Sequence, residues 1–181
     1  MIRPHTFLFA AALACAALTS CNTAPSSAKG KAEIIEKSDA AVARAETRDA
    51  NFKKRCNEAA GYAVFPKVGK GAVGVGGAYG KGVLYENGHA VGYCDLTQAS
   101  VGASLGGQTY TEIICFKDRE ALDKFKHGKF EFDAQASAVA LEAGASKEIP
   151  YREGVAVYTT NEEGLMVDAS IGGQKFTYQP F

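Results

Sequence analysis

The sequence predicts an α+β fold, an antiparallel β barrel or sandwich with an N-terminal helix and a short helix after the central strands. Residues 31–60 hold apolar side chains at roughly helical spacing and contain no Pro or Gly. From Tyr62 onward the spacing changes to the period of two that is typical of strands. Two such runs flank Asn87 and Gly88, and Asn-Gly is typical of a tight hairpin turn.

The N-terminal helical segment carries a thin, alanine-rich apolar stripe. Ile34, Ala41, Phe52 and Cys56 belong to it, and the pattern fits one long helix or two shorter ones. The small side chains favour close packing on a flat surface. A role on a membrane surface is the alternative, although helices of that kind usually carry bulkier apolar groups.

Strand-like runs and one further helix follow in order. The first run, residues 62–65, ends at Pro66, a residue that interrupts strands. In the hairpin that comes next, Glu86 and His89 are expected to face each other across the turn. The remaining predicted elements are a strand region over 100–116, a helix over 118–127 with Ala121, Leu122 and Phe125 buried, an ambiguous segment over 130–141, strands over 151–159 and 165–171 joined by a turn at 161–164, and a last strand over 175–181.

An internal repeat links two of the strand regions. Residues 101–108 and 167–174 share a pattern of Val, Ala, Ser, Leu or Ile, Gly, Gly and Gln at the same spacing. In both segments the apolar side chains fall on one face at a period of two. Two strand pairs that are built alike and face each other would enclose one core, as a sandwich or a closed barrel does.

Residues 1–20 predict a lipoprotein signal peptide. A basic start at Arg3 precedes an apolar run, and Leu18 to Cys21 matches a lipobox. The apolar run is too short for a membrane-crossing anchor, which needs about 20 residues. Cys21 is then the lipidation site, bearing palmitate or similar acyl chains, and the first residue of the mature protein. An ordinary signal peptide cut elsewhere is the alternative.

The N-terminus also predicts where the protein resides and how the chain is divided. Residue 22 is Asn rather than Asp, so the usual inner-membrane retention signal is absent. The expected location is the bacterial cell envelope, on the periplasmic face of the outer membrane. Residues 21–30 are small and polar and predict a flexible tether. Residues 31–181 amount to a single domain.

Charge and cysteine content limit the function classes. The chain has 20 basic and 20 acidic residues, so nucleic acid is not an expected partner. The cysteines and histidines lack metal-site spacing, and no metal or cofactor is expected. Cys94 and Cys115 lie in strand-like runs of a chain predicted for an oxidising compartment, so they are the predicted disulfide pair. Buried apolar thiols are the equal alternative.

Motifs for catalysis are weak, and an enzyme is not expected. Residues 69–74 match the letters G-x-G-x-x-G but lack the preceding strand and following helix of a dinucleotide site. The glycines favour bulges or tight strand crossings instead. His89 and His127 remain after processing, and both are expected at the surface. Ser104 is expected to be an ordinary hydroxyl within a sheet.

Two segments resemble the SYLF domain family. They are the glycine-rich run 63–84 and residues 96–108, and residues 121–125 fall where that family has a short helix. The likeness extends over about residues 32–181 and implies lipid binding. Eukaryotic members of the family bind phosphoinositides, and fungal members also bundle actin filaments. Residues 93–96 are Tyr-Cys-Asp-Leu where eukaryotic members have Trp-Ser-x-Pro, so actin is not expected as a partner.

The predicted function is therefore a non-enzymatic, lipid-binding lipoprotein of the cell envelope, with anionic phospholipid as a candidate ligand. A structural or protein-binding envelope module is the alternative, and a hydrolase would need His89 or His127 to converge with a carboxylate. The sequence leaves the oligomeric state open. The headgroup site is expected where lysines and exposed backbone N–H groups of the glycine-rich run would meet a phosphate, at Lys67, Lys70, Gly71, Gly74, Gly76, Gly77, Gly80 and Lys81.

Overall fold

The computed structural model describes residues 23–129, 131–132, 138–140 and 150–181, so the predicted signal peptide and Cys21 lie outside the described residues. The strands form one sheet in the order β1-β2-β5-β3, with β4 also beside β5. Every pair is antiparallel except β4 with β5. The elements are α1 (Ala28–Arg48), α2 (Ala50–Glu58), β1 (Gly61–Glu86), β2 (His89–Phe116), α3 (Arg119–Lys126), β3 (Glu131–Phe132), β4 (Ala138–Ala140) and β5 (Val155–Pro180).

This architecture confirms the predicted α+β class. Helices precede the sheet, and a short helix follows the two central strands. Over the described residues the sheet stays open instead of closing into a barrel. None of the helices in this part of the chain is long and apolar enough to cross a membrane.

Local side-chain chemistry sets the helix boundaries. Ser27 Oγ accepts a hydrogen bond from the Gly30 N–H at 3.0 Å and begins α1. The helical segment divides in two because Asp49 has extended backbone geometry, and its carboxylate caps α2 by accepting from the Asn51 N–H at 2.9 Å. Asp118 caps α3 in the same way.

The hairpin between β1 and β2 is the one that the sequence predicts. Asn87 and Gly88 have φ values of 50° and 76°, and positive φ at both central residues is the requirement of a type I′ turn. Glu86 pairs with His89 across that turn, as expected. This tight connection fixes the register between β1 and β2.

Two predicted strand ends are wrong. Pro66 does not end the first strand, because β1 continues past it with only a register irregularity between Phe65 and Val68. The turn predicted at 161–164 is likewise part of β5, which stays paired with β2 through a register shift at that point. In both places pairing with a long neighbouring strand outweighs the local turn preference.

β1 turns back against itself near its middle. An ideal Cβ at Gly76 would lie 2.7 Å from Ala72 Cβ, and one at Gly82 would lie 2.4 Å from the Val64 carbonyl oxygen. The two halves of the strand therefore lie directly against each other. Gly74, with φ of 74°, stands at the bend and adopts a conformation that other residues rarely adopt. Of the glycines within residues 69–74, for which bulges or tight crossings were predicted, Gly74 lies at a register shift between Val73 and Val75, and the tight approaches are made by Gly76 and Gly82 instead.

The bend divides the hairpin into two regions. We call residues 71–77 of β1 and 99–107 of β2 the tip, since the bends of both strands fall within them. The base consists of residues 61–68 and 80–86 of β1 with their partners on β2.

The base is buried on both faces of the sheet. Neighbouring residues of a strand point to opposite faces, and helices cover both. One core cluster packs against α1 and α2, and the other packs against α3. On β2, for example, Ile113 belongs to the first cluster and Ile114 to the second. The first cluster contains Ala41, Ala45, Phe52, Cys56, Val64, Val83, Tyr85, Ile113, Cys115, Ala156 and Tyr158. The second includes Phe65, Leu84, Cys94, Leu96, Ile114, Phe116, Leu122, Phe125, Val157 and Phe176.

Candidate functional site

The tip carries four exposed aliphatic side chains. Val73 is 79% exposed, Val75 69%, Val101 68% and Leu105 66%. The register places Val73 opposite Leu105 and Val75 opposite Val101, so the four form two cross-strand pairs on either side of the bend. Exposed apolar groups scattered singly are ordinary, but a contiguous set is typical of a surface that contacts a membrane or another protein.

The third strand continues the same apolar positions across the tip. Val101 pairs with Ile171 and Leu105 with Val167 in the register between β2 and β5. Thus the two repeated segments identified in the sequence are antiparallel neighbours in one sheet, not opposite walls of a sandwich. Their apolar face was expected to line a core, yet on β2 that face is exposed whereas Ser104 is buried.

The predicted headgroup lysines do not converge. Lys67 is exposed, whereas Lys70 is only 7% exposed. Lys81 Nζ donates to Asp95 Oδ1 at 3.0 Å and to the Thr23 carbonyl oxygen at 3.0 Å. The three lysines therefore occupy three different environments along β1.

The predicted glycines also divide into separate groups. Gly71, Gly74 and Gly77 are exposed at the tip. Gly76 and Gly80 lie against the opposite half of β1, where a Cβ would come within 3 Å of a neighbouring atom. Hence the last two serve the fold, and only the exposed three belong to the surface that the valines form.

A buried polar cluster lies between strands β2 and β5. Gln174 Nε2 donates to Glu112 Oε2 at 3.0 Å and to Gln98 Oε1 at 3.4 Å, and these three side chains are at most 7% exposed. Burial raises the pKa of Glu112 to about 7, and the hydrogen bond from Gln174 opposes part of that rise. Within the described residues Glu112 Oε1, Gln174 Oε1, Gln98 Nε2 and the nearby Ser100 Oγ have no hydrogen-bond partner.

The cysteine arrangement corrects the predicted pairing. Cys94 and Cys115 belong to different core clusters on opposite faces of the sheet. Cys115 lies instead beside Cys56 of α2, with the two Sγ atoms 3.1 Å apart. The sequence favoured Cys94 as the partner because both cysteines lie in strand-like runs, and it does not show that α2 packs Cys56 against Cys115.

The segment predicted as a flexible tether is bound to the fold from Thr23 onward. The Ala24 N–H donates to Gln179 Oε1 at 3.2 Å, and Ala24 is only 4% exposed. Lys81 holds Thr23 through the contact described above, and α1 already begins at Ala28. The predicted boundary between tether and domain at residue 30 is therefore too late.

The groups considered for catalysis do not form an elbow or a charge relay in the described part of the chain. His127 Nδ1 lies 2.7 Å from the Asp123 carbonyl oxygen at the end of α3, and His89 is exposed at the hairpin. Residues 102–106 do have the letters G-x-S-x-G. Ser104 lies inside β2, however, and a nucleophile elbow requires a strand-to-helix turn.

Comparison with known proteins finds a family match within the sheet. Residues 97–179 match the Ysc84 family, described as "Las17-binding protein actin regulator". Residues 97–179 therefore resemble the SYLF (Ysc84) family. The matched segment starts in β2 and ends in β5, so it includes Val101, Leu105 and the buried polar cluster.

A curated protein that is similar to part of this chain is Beta cell expansion factor A from Aeromonas veronii. It is 32% identical over 84 residues, which are 46% of this chain. The match spans about a third of the relative's own length, 32%. The predicted resemblance to the SYLF family is confirmed over this part of the chain, and it fits a module that binds lipid or protein.

Proposed function

We propose that this protein is a non-enzymatic lipoprotein of the bacterial cell envelope that binds membrane lipid by inserting the tip of its folded hairpin. The observation that carries the proposal is the set of four exposed aliphatic side chains at the bend, Val73, Val75, Val101 and Leu105. Among the residues whose exposure the structure describes, they are the most exposed large apolar side chains.

Burial of apolar side chains would supply most of the free energy of membrane binding. Transfer of one Val or Leu side chain from water to an apolar environment is worth at least about 1.5 kcal/mol. Four such side chains would together contribute on the order of 6 kcal/mol before the costs of association. Because exposed Gly71, Gly74 and Gly77 accompany the valines, bulky polar side chains do not obstruct entry of the bend into the interface.

Charge plays a smaller part in this proposal than the sequence predicted. Lys67 is six residues from Val73, which is up to about 20 Å along a strand. A tip inserted among acyl chains would leave Lys67 near or above the headgroups, where one lysine contributes about 1 kcal/mol with anionic lipid. We therefore expect a modest preference for anionic over zwitterionic bilayers.

Flotation of the chain with liposomes tests the proposal. The protein should carry Cys21→Ser, so that an acyl anchor cannot account for binding, and the vesicles should be phosphatidylcholine with or without phosphatidylglycerol. The double variant Val75→Ser/Val101→Ser should bind on the order of 100-fold more weakly, because it loses two inserted side chains. Phe181→Ser is the matched control, since Phe181 is 61% exposed but lies at the chain end outside the tip.

Each outcome distinguishes one alternative. If the Cys21→Ser protein floats with neither vesicle, the domain does not bind lipid. If the double variant floats as well as the parent, the domain binds lipid but the tip is not the binding site. A parent that does not float yet self-associates, and loses that association in the double variant, would favour the protein-binding alternative.

The envelope location needs a separate measurement. Labelled palmitate should appear on the processed protein and be absent from a Cys21→Ser variant. The binding of Thr23 and Ala24 to the sheet supports the proposal, because two residues after Cys21 the chain already belongs to the domain. Label on the variant, or none on the parent, would contradict the anchor.

A further inference from the structure

Two thiols meet where α2 packs on the sheet. Cys56 is 6% exposed on α2 and Cys115 is fully buried on β2, with their Sγ atoms 3.1 Å apart. Both belong to the core cluster under α1 and α2. Cys94 is also buried, but it lies on the other face of the sheet in the cluster that packs against α3.

We propose that Cys56 and Cys115 form a disulfide in the mature protein. A bond between them needs an approach of about 1 Å, because S–S bonds are near 2.0 Å long. Two side-chain rotations supply such a displacement without moving either backbone segment far. In the reaction each thiol gives up its hydrogen, and two electrons and two protons pass to the disulfide of an oxidant, which becomes two thiols.

The position of the pair argues for a structural bond, not a reactive one. Its hydrogen bond with Cys115 and its burial both raise the pKa of the Cys56 thiol, so Cys56 is not poised as a thiolate nucleophile. Oxidation therefore takes place during folding, before α2 covers Cys115.

The bond would serve the weakest-held helix of the N-terminal layer. α2 has nine residues, of which only Phe52 and Cys56 are buried. Phe52 packs edge-on against Tyr158 with ring centroids 5.1 Å apart. A helix this short is marginal by itself, so a covalent link at Cys56 would hold its C-terminal half to the sheet while Phe52 holds the N-terminal half.

Refolding in a thiol redox buffer tests the assignment. The full chain should carry Cys15→Ser and Cys21→Ser, so that Cys56, Cys94 and Cys115 are its only thiols. It is reduced, unfolded, refolded in reduced and oxidised glutathione, quenched, alkylated in denaturant and mapped by mass spectrometry. We expect one alkylated cysteine, Cys94, and one cross-linked peptide pair joining Cys56 to Cys115.

Matched variants decide between the alternatives. Cys94→Ser should leave the cross-link intact, whereas Cys115→Ser should give two alkylated thiols and no cross-link. Three alkylated cysteines in the parent after refolding to its native circular dichroism spectrum would overturn the proposal, as would a cross-link that contains Cys94. Because Cys94→Ser keeps both proposed partners, the assignment stays testable even if Cys115→Ser does not fold.

Discussion

The base and the tip of the folded hairpin are made of the same two strands, yet they treat apolar side chains in opposite ways. In the base, Phe65 and Leu84 are fully buried, whereas Val73 and Val75 in the tip are more than two-thirds exposed. The cause is coverage. The base has α1 and α2 on one face and α3 on the other, whereas neither core cluster of the described residues contains a residue of the tip. Strand alternation thus defines two faces, but the neighbouring elements decide which faces become core.

The largest expected effect is in the base. Phe65→Ala should lower the free energy of unfolding by about 4 kcal/mol, because it opens a cavity where the ring packs 5.8 Å from the Phe176 ring. Val73→Ala, on the same strand, should change it by less than about 0.5 kcal/mol. Urea unfolding of both variants measures the difference, and similar losses would mean that the tip is buried in solution.

The buried carboxyl between β2 and β5 predicts a pH dependence. Glu112 has a pKa near 7 against an ordinary value of 4.5. Between those values the folded state keeps a proton that the unfolded state has released, so stability falls as pH rises. The loss should reach roughly 3 kcal/mol by pH 7, and chemical unfolding at a series of pH values measures it. Glu112→Gln should flatten the profile and exposed Glu120→Gln should not; equal slopes in all three proteins would contradict the burial argument.

Two glycines of β1, one in the base and one in the tip, should respond differently to the addition of one methyl group. Gly82→Ala places a Cβ 2.4 Å from the Val64 carbonyl oxygen, and we expect a loss of about 2 kcal/mol from overpacking. At Gly71 in the tip nothing lies within 4 Å of such a Cβ, so Gly71→Ala should be neutral or slightly stabilising. Thermal unfolding compares them. Equal midpoints would show that the halves of β1 do not touch.

The smallest expected change in stability is at Val75. Val75→Ser should shift the free energy of unfolding by less than about 0.5 kcal/mol, because its side chain is 69% exposed. The same variant should still weaken liposome binding measurably. A variant that loses stability and lipid binding together would undermine the division into a folding region and a contact region.

Sequence reasoning succeeded where the chemistry is local. The turn at Asn87 and Gly88 follows from the backbone preferences of two residues, and the buried face of α3 follows from the spacing of Ala121, Leu122 and Phe125. The continuation of β1 through Pro66 could not be predicted, because it depends on pairing with a strand more than forty residues away.

The candidate site was harder to predict than the fold. Lys70 and Lys81 looked available in the sequence, but one is buried and the other bonds Asp95 and Thr23. Val73 and Val75 lie between glycines within residues 67–81, where the headgroup site was predicted. The sequence shows them only as part of an apolar pattern, which equally fits a core strand. Whether these valines are buried or exposed depends on which elements pack against them, and only the structure shows that.

The docking of Thr23 and Ala24 on the sheet has a consequence for the working range of the protein. With an acyl group on Cys21, only Asn22 would lie between the acylated residue and docked Thr23, and two residue steps span about 7 Å. A lipoprotein with a long linker can reach distant layers of the envelope. This one would be confined to the membrane surface that holds it, so any lipid or partner must come to that surface.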